Sequence, residues 1–157
     1  MTTAYIAMGT NVGDRQAAIE HARTGLDAIA SAPIRMSEVY ETAPVGGPAG
    51  QGAFLNAVAE LQTTLPPRDL LARLQAIEQA AGREPPDQRV RWSPRVLDLD
   101  ILFYGDAVID EPGLRVPHPH LHERWFVLKP LADLAPQLVH PTRGETVAAM
   151  LANLPTT

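Results

Sequence analysis

The stretch Arg91-Trp92-Ser93-Pro94-Arg95-Val96-Leu97-Asp98-Leu99-Asp100-Ile101-Leu102-Phe103 begins with basic and aromatic residues and ends as an apolar run that two aspartates interrupt. An apolar run of this length, bounded by Pro94 and Gly105, predicts a β-strand. Because side chains alternate between the two faces of a strand, Asp98 and Asp100 share one face. The opposite face is predicted to point into the core, and it carries Leu97, Leu99, Ile101 and Phe103.

The pair of aspartates has two interpretations. Two steps along a strand separate their Cα atoms by roughly 7 Å, and carboxylates this close repel each other unless a cation lies between them. Mg²⁺ prefers oxygen ligands and usually takes one or two carboxylates together with substrate phosphates. Alternatively, Asp98 and Asp100 face water on the solvated side of an antiparallel sheet. The arginines just upstream favour the metal interpretation, because phosphate chemistry needs acidic metal ligands beside cationic groups.

The composition restricts the class of protein. A chain of 157 residues with 45% apolar and 20% charged residues predicts one globular domain, over residues 1–157. It contains no cysteine, which excludes disulfides, thiolate catalysis and cysteine-ligated metal centres. The net charge of -5 argues against general nucleic-acid binding. No apolar run approaches about 18 residues, so we expect no membrane span. The start lacks a basic segment before an apolar one, so we expect no signal peptide. We also expect the protein to be cytoplasmic and monomeric.

The order of the predicted elements favours an α+β fold. Strands are predicted at residues 4–8, 34–42 and 53–61 and at the Asp98 stretch, with helices at residues 15–30 and 66–81. A Pro/Gly loop at residues 43–52 joins the second and third strands without a helix. A βαββαβ order is the ferredoxin-like pattern, an antiparallel sheet with helices on one face, which leaves the other face free for a site. A hairpin within residues 107–116 and C-terminal helices at 123–134 and 146–154 are accessory.

Two polar residues interrupt apolar patterns. Asn56 shares a strand face with Phe54 and Val58, so a buried Asn56 must form hydrogen bonds, either with backbone groups or with a ligand. Glu78 follows Leu74 on the apolar stripe of the second helix. It is therefore either drawn towards a cation or an ordinary residue at the edge of that stripe.

Three histidines recur at a spacing of two residues: His118, His120 and His122. The spacing invites a transition-metal interpretation. However, Pro117 and Pro119 interrupt any regular element that would align the rings, and a zinc site usually needs a further distant ligand. We therefore favour one histidine that acts on phosphate or as a proton shuttle, with the others solvated.

Residues 91–102, read as Arg-Trp-x-Pro-Arg-x-Leu-Asp-Leu-Asp-Ile-Leu, resemble the signature of the 6-hydroxymethyl-7,8-dihydropterin pyrophosphokinase family of folate biosynthesis. A chance match at about ten fixed positions is negligible. Other segments agree with this family over nearly the full length: residues 4–11 (Ala-Tyr-Ile-Ala-Met-Gly-Thr-Asn), 40–44, 54–57, Glu78 with Gly82-Arg83, 116–118 and 124–126.

The resemblance implies transfer of pyrophosphate from ATP to the hydroxymethyl group of the dihydropterin, with release of AMP. It also implies a ferredoxin-like fold and two Mg²⁺ ions held by Asp98 and Asp100. The pterin ring is implied to contact Thr42, Val45, Phe54, Asn56 and Phe126. In this family the two aromatics stack on the ring, Asn56 pairs with its edge, and Thr42 and Val45 contribute backbone groups.

For the nucleotide, the resemblance implies contacts from Glu78, Arg83, Trp92, Arg95, His118 and Arg124. Arg83 and Arg95 are implied to be catalytic together with the two aspartates, and Trp92 to help close the site. Two features depart from the family pattern. The loop at residues 83–92 is longer than in the best-known bacterial form and carries Pro85-Pro86, so Arg89 or Arg91 could supply a basic group expected there. Pro119 stands where a tyrosine often follows the histidine in this family. The ATP contact that this tyrosine makes has no obvious counterpart in this chain.

Two other functions remain open on the residues alone. A Mg²⁺-dependent phosphohydrolase would use the aspartate pair, but it gives no account of Phe54 beside Asn56. A non-enzymatic ferredoxin-like binding module would use the same fold without chemistry. An RNA-binding sheet would need exposed aromatics flanked by basic residues, whereas this chain is acidic and only 5% aromatic.

Overall fold

The structure is a computed structural model, and it describes residues 1–11, 13–42, 53–82 and 96–155. Within these ranges the strands are β1 (Thr2–Thr10), β2 (Arg35–Met36), β3 (Tyr40–Thr42), β4 (Phe54–Thr63), β5 (Asp98–Tyr104), β6 (Ile109–Glu111) and β7 (Leu114–Val116). The α-helices are α1 (Arg15–Ile29), α2 (Pro67–Ala80), α3 (Trp125–Leu134) and α4 (Val147–Ala152), and a 3₁₀ turn at Leu121–Glu123 precedes α3. Among the described residues, no helix has the length and apolar character needed to cross a bilayer.

The helix boundaries follow from local signals in the sequence. The carboxylate of Asp14 accepts a hydrogen bond from the Ala17 amide at 3.0 Å and caps α1. Pro67 occupies the first turn of α2, where its missing N–H costs nothing, and Gly82 follows that helix with a φ of 107°. These predicted boundaries are confirmed to within a residue or two. Pro130 lies inside α3, and the helix continues past it to Leu134.

One antiparallel sheet forms the centre of the molecule, with the strand order β2-β4-β1-β5 and with β3 paired to β4. The α+β class with an antiparallel sheet is therefore confirmed. The single strand predicted at residues 34–42 is instead two short strands. Ser37 separates them, because its hydroxyl accepts the hydrogen bond of the Val58 amide at 2.8 Å and replaces a ladder contact there.

Apolar side chains cover both faces of the sheet. On the first face, α1 and α2 pack on a core that includes Ile6, Leu61 and Leu99. On the second face, α3 and α4 pack on Tyr5 and Val58. The prediction that all helices pack on one face and leave the second face free is therefore wrong for part of that face. The apolar residues there are buried by α3 and α4, because their exposure to water is unfavourable.

A β-bulge in β5 changes the direction of one predicted core residue. Tyr5 pairs with Phe103 whereas Ile6 pairs with Ile101, so Leu102 is an extra residue in the ladder. Phe103 consequently lies on the second face, where its ring meets the Tyr5 ring edge-on at 6.4 Å. The prediction that Phe103 shares the core face of Leu99 and Ile101 is wrong for this reason.

His140 is a buried titratable group of the second face, only 6% exposed. Its ring packs edge-on against Phe103 at 5.7 Å. Its Nδ1 accepts hydrogen bonds from the amides of Thr142 and Arg143 at 3.3 and 3.2 Å. An imidazole that accepts at Nδ1 is neutral. Burial is the main cause that lowers the pKa of His140 below its ordinary value, since it disfavours the charged form.

We expect His140 to make the protein less stable as the pH falls. Below about pH 6.5 the unfolded chain binds a proton that the folded chain resists, so the free energy of unfolding decreases towards lower pH. Urea unfolding of the wild type and of His140→Asn at about pH 7.5 and pH 5.5 measures this effect. The variant should lose less stability across that interval than the wild type. His120→Asn, at an exposed position, is the matched control, and equal pH dependence in all three proteins would contradict the prediction.

Candidate active site

A cavity of about 510 Å³ opens on the second face of the sheet, beside α3. Residues of β1, β4 and β5 form its floor, and β3 and α3 contribute to its walls. Eight of the residues that the sequence singled out line it: Thr42, Phe54, Asn56, Asp98, Asp100, His118, Arg124 and Phe126. The structure thus brings the aspartate pair and the aromatic pair into one cavity, although they lie far apart in the chain.

The floor consists of residues that face one another across three strands. Asp98 pairs with Gly9, and Gly9 pairs in turn with Asn56. In the next row, Ala7 lies between Asp100 and Val58. A Cβ at Gly9 would come within 3.5 Å of the Asn56 amide oxygen, so glycine keeps the floor low between the acidic and the amide side chains. The central strand therefore presents small residues where a ligand could lie.

The acidic side of the cavity is built on β5. Asp98 is half-buried and Asp100 is exposed, and both line the cavity, so the prediction that they share one face is confirmed. Their oxygen donors suit Mg²⁺, which obtains its remaining ligands from phosphates and water. No group of three or more His, Cys, Asp or Glu residues suited to a metal ion occurs in the described part of the chain.

His118 lies next to this acidic pair. Its backbone amide donates to the carbonyl of Leu102 at 3.0 Å, which places the ring beside β5. Its Nδ1 accepts a hydrogen bond from the His120 amide at 3.2 Å, so the neutral ring carries its proton on Nε2. Burial is the largest cause that lowers the pKa of His118; the Asp100 carboxylate opposes it and the Arg124 guanidinium reinforces it. His118 is therefore a neutral hydrogen-bond donor.

The other two histidines, His120 and His122, are not among the described residues that line this cavity. His120 and His122 each approach the carboxylate of Glu123, at 3.5 and 3.4 Å. Glu123 itself lines the cavity next to Arg124. These two histidines therefore meet at Glu123 and not at the aspartate pair.

The apolar side of the cavity is built on β4 and α3. Phe54 and Phe126 are half-buried, and both line the cavity. The Arg124 guanidinium lies 5.9 Å from the centroid of the Phe126 ring. Asn56 is only 7% exposed, and its amide nitrogen donates to the Thr42 hydroxyl at 2.7 Å. This contact goes to a side chain, not to the backbone group that the sequence left as one alternative, and it fixes which way the amide faces.

Glu78 has a different position from the other predicted residues. It is 6% exposed on α2, on the opposite side of the sheet, and is not among the described residues that line the cavity. One carboxylate oxygen accepts a hydrogen bond from the Leu99 amide at 2.8 Å. Leu99 lies between the two aspartates, so Glu78 supports the backbone of the strand that carries them. Val45, Arg83, Arg89, Arg91, Trp92 and Arg95 lie outside the described residues.

Seven lining residues were not predicted as site residues: Ala7, Met8, Gly9, Ala57, Leu102, Glu123 and Val127. The first strand was predicted to end at residue 8, whereas β1 continues through Gly9 to Thr10. The signal that could have found it is the alternation of small residues with Ile6 and Met8, which is typical of a strand with one open face. Glu123 has no comparable signal, because it precedes a helix whose placement depends on tertiary packing.

Solved structures share this fold. The wild-type HPPK-DHPS protein of Plasmodium falciparum superposes on 96% of this chain with a TM-score of 0.72. The match covers 44% of that longer protein, at 15% sequence identity. At this identity the likeness establishes the fold alone, an α+β domain of the type that the HPPK-DHPS protein contains.

Closer relatives identify the family. The family model for 7,8-dihydro-6-hydroxymethylpterin-pyrophosphokinase (HPPK) matches residues 5–136. The 2-amino-4-hydroxy-6-hydroxymethyldihydropteridine pyrophosphokinase of Pseudomonas aeruginosa is 45% identical over 155 residues, which cover 96% of this chain and 91% of the relative. The protein of the same name from Bacillus subtilis is 43% identical over 136 residues, covering 86% and 79%. The chain belongs to the HPPK family.

Proposed function

We infer that this chain transfers pyrophosphate from ATP to 6-hydroxymethyl-7,8-dihydropterin, giving AMP and the pterin diphosphate in folate biosynthesis. The observation that carries this inference is the single cavity that joins a carboxylate pair to an aromatic pair with a buried amide. The two halves match the two substrates, since one suits a polyphosphate with its cations and the other suits a flat heterocycle. Membership of the HPPK family agrees with this activity.

The apolar half is the proposed pterin site. A flat ring between Phe54 and Phe126 gains stacking and burial on both faces. Asn56 offers an amide to the edge of that ring, and Thr42 holds this amide in place through its hydroxyl. Val45 is proposed to add a backbone contact, on the sequence resemblance alone. Gly9 leaves the space beneath the ring open.

The acidic half is the proposed phosphate site. Asp98 and Asp100 would hold two Mg²⁺ ions, which when bound neutralise the phosphate charge and help to acidify the attacking hydroxyl. Neutral His118 donates a hydrogen bond to a phosphate oxygen, and Arg124 offers a positive charge without proton transfer. No strong protein base is needed in this scheme.

Further ATP contacts are proposed from the sequence resemblance. Arg83 and Arg95 stabilise charge on the transferred group and on the AMP oxygen that leaves, and Trp92 helps to close the site. For Glu78, the hydrogen bond to Leu99 favours an action through β5, the strand that carries the metal ligands, over direct contact with the nucleotide.

One assay tests the proposed function against its alternatives. The protein is mixed with ATP, Mg²⁺ and 6-hydroxymethyl-7,8-dihydropterin, and the nucleotide products are separated by chromatography. AMP that appears only when the pterin is present is the expected result. Phosphate released without pterin would indicate a phosphohydrolase instead. If neither AMP nor phosphate forms, the protein is a non-enzymatic binding module. Release of phosphate without pterin, or the absence of both products, overturns the proposal.

We also propose four broader properties. The sheet order, with α1 and α2 on one face, supports a ferredoxin-like βαββαβ core in which β2 and β3 together serve as the second strand. Residues 1–157 are proposed to form one domain. The protein is proposed to act as a monomer in the cytoplasm, and light scattering after size-exclusion chromatography measures its oligomeric state.

A further inference from the structure

A cluster of side chains ties β3 to α3 beside the cavity. The Tyr40 hydroxyl donates a hydrogen bond to the Asp133 carboxylate at 2.6 Å. The Tyr40 ring meets the Trp125 ring edge-on at 5.7 Å, with an interplanar angle of 84°. The Lys129 ammonium lies 5.9 Å from the centroid of the Tyr40 ring and 3.6 Å from Asp133. We call these four residues the Tyr40 clamp.

The clamp connects two walls of the proposed pterin site. On one side, Tyr40 pairs with Asn56 across β3 and β4, and Thr42, two residues further along β3, accepts the hydrogen bond of the Asn56 amide. On the other side, Trp125 immediately precedes Phe126 at the start of α3. Thr42 and Phe126 therefore lie on the two elements that the clamp joins, β3 and α3, while Asn56 on β4 is hydrogen-bonded to Thr42.

The strand β3 has little else to fix it among the described residues. It has three residues, and it pairs with β4 along one edge. Arg15 adds an exposed ion pair with Glu41 at 2.9 Å, of the kind that contributes little in water. The Tyr40–Asp133 hydrogen bond is also exposed, but it is short and charge-assisted, and it joins β3 to α3, whereas the Arg15–Glu41 pair joins β3 to α1. The Tyr40–Asp133 contact is therefore the best candidate for setting the separation of β3 from α3.

The hydroxyl of Tyr40 keeps its proton under ordinary conditions. The hydrogen bond to Asp133 is the main cause that raises the pKa of Tyr40 to about 12. The contact therefore keeps its donor across the neutral pH range. Neither Tyr40 nor Asp133 lines the cavity, so any effect on catalysis must act through the walls.

We propose that Tyr40 and Asp133 are positioning residues for the pterin half of the site, because their hydrogen bond sets the spacing between the wall of Thr42 and Asn56 and the wall of Phe126. This inference rests on the proposed function. It predicts a larger effect on the pterin than on ATP, since Asp98 and Asp100 lie on β5, which pairs with β1 and not with β3, and only Arg124 of the acidic half adjoins α3.

The test compares KM values for the two substrates. Tyr40→Phe removes only the hydroxyl and keeps the ring against Trp125, and Asp133→Ala removes the acceptor. Each should raise KM for the pterin about five- to tenfold and leave kcat and KM for ATP within about twofold. Asp133→Asn retains an acceptor oxygen, so its KM for the pterin should return most of the way from the Asp133→Ala value to the wild-type value. The double variant should lose no more than the worse single variant, because both changes break one contact.

Tyr104→Phe is the matched control. Its hydroxyl donates to the Leu65 carbonyl, away from the cavity, so its loss should lower thermal stability without changing KM for the pterin. The proposal is overturned if Tyr40→Phe and Asp133→Ala keep the wild-type KM for the pterin, or if KM for ATP rises in parallel. Absence of pterin-dependent AMP in the wild type would instead reject the proposed function. The double-mutant cycle in thermal stability then still reports whether the two residues are coupled.

Discussion

Replacement of either Asp98 or Asp100 by alanine is expected to lower kcat roughly 10³-fold or more, with the protein still folded. The two carboxylates line the cavity from one strand face, and we propose that they hold the cations that offset the charge of the triphosphate. Loss of one ligand removes stabilisation that is needed most in the transition state, which is worth several kcal/mol of barrier. The measurement is pterin-dependent AMP release at saturating Mg²⁺.

Asp106→Asn is the matched control for this prediction. Asp106 is exposed in the turn after β5, and it is not among the residues that line the cavity. Its replacement should leave kcat unchanged. Calorimetric titration of Mg²⁺ into the protein with a non-hydrolysable ATP analogue gives a second readout, in which Asp98→Ala should bind fewer or weaker ions. Normal turnover of Asp98→Ala with saturating Mg²⁺ would rule out the assigned role.

Replacement of Asn56 by alanine is expected to raise KM for the pterin about 10²-fold and to change KM for ATP little. Asn56 is nearly buried, and its nitrogen is already engaged with the Thr42 hydroxyl. Removal of the amide leaves polar groups of the ligand without a partner inside the cavity, which costs more than a lost contact with water. Initial rates of AMP release at varied pterin and varied ATP measure the two constants separately.

Asn153→Ala supplies the comparison for Asn56. Asn153 is exposed at the end of α4, where it bonds to Glu145, so its loss should affect neither substrate. Equal increases of both KM values in Asn56→Ala would instead indicate a general collapse of the cavity. In that case Asn56 would serve the fold, and the proposed pterin contact would fail.

Local patterns in the sequence were sufficient for much of the fold. Asp14, Pro67 and Gly82 act on the backbone within a few residues of themselves, so helix boundaries could be predicted from them. Strand alternation likewise placed Asp98 and Asp100 on one face, because no irregularity lies between them. Their convergence with Phe54 and Asn56 required the strand order, which came from the pattern of elements and from the family resemblance.

Features that depend on contacts distant in sequence could not be predicted in this way. The bulge at Leu102 arises from the pairing of β5 with Tyr5 and Ile6, and no pattern within residues 98–104 predicts it. The packing of α3 and α4 on the second face was missed for a similar reason, since an amphipathic pattern does not say which surface it meets. The stripe pattern left open whether Glu78 meets a cation or lies at the edge of the stripe, and in the structure it accepts a hydrogen bond from the Leu99 amide, a contact distant in sequence.

Gly9 lies between Asp98 and Asn56, so the spacing of the strands sets the distance between the backbones of these two residues across the cavity floor. Neighbouring strands lie about 4.8 Å apart, so the backbones of β5 and β4 are separated by roughly 10 Å across β1. Main-chain hydrogen bonds set that separation, and side-chain replacements cannot alter it. A ligand that fills both proposed halves of the cavity must therefore reach across β1, the central strand between them.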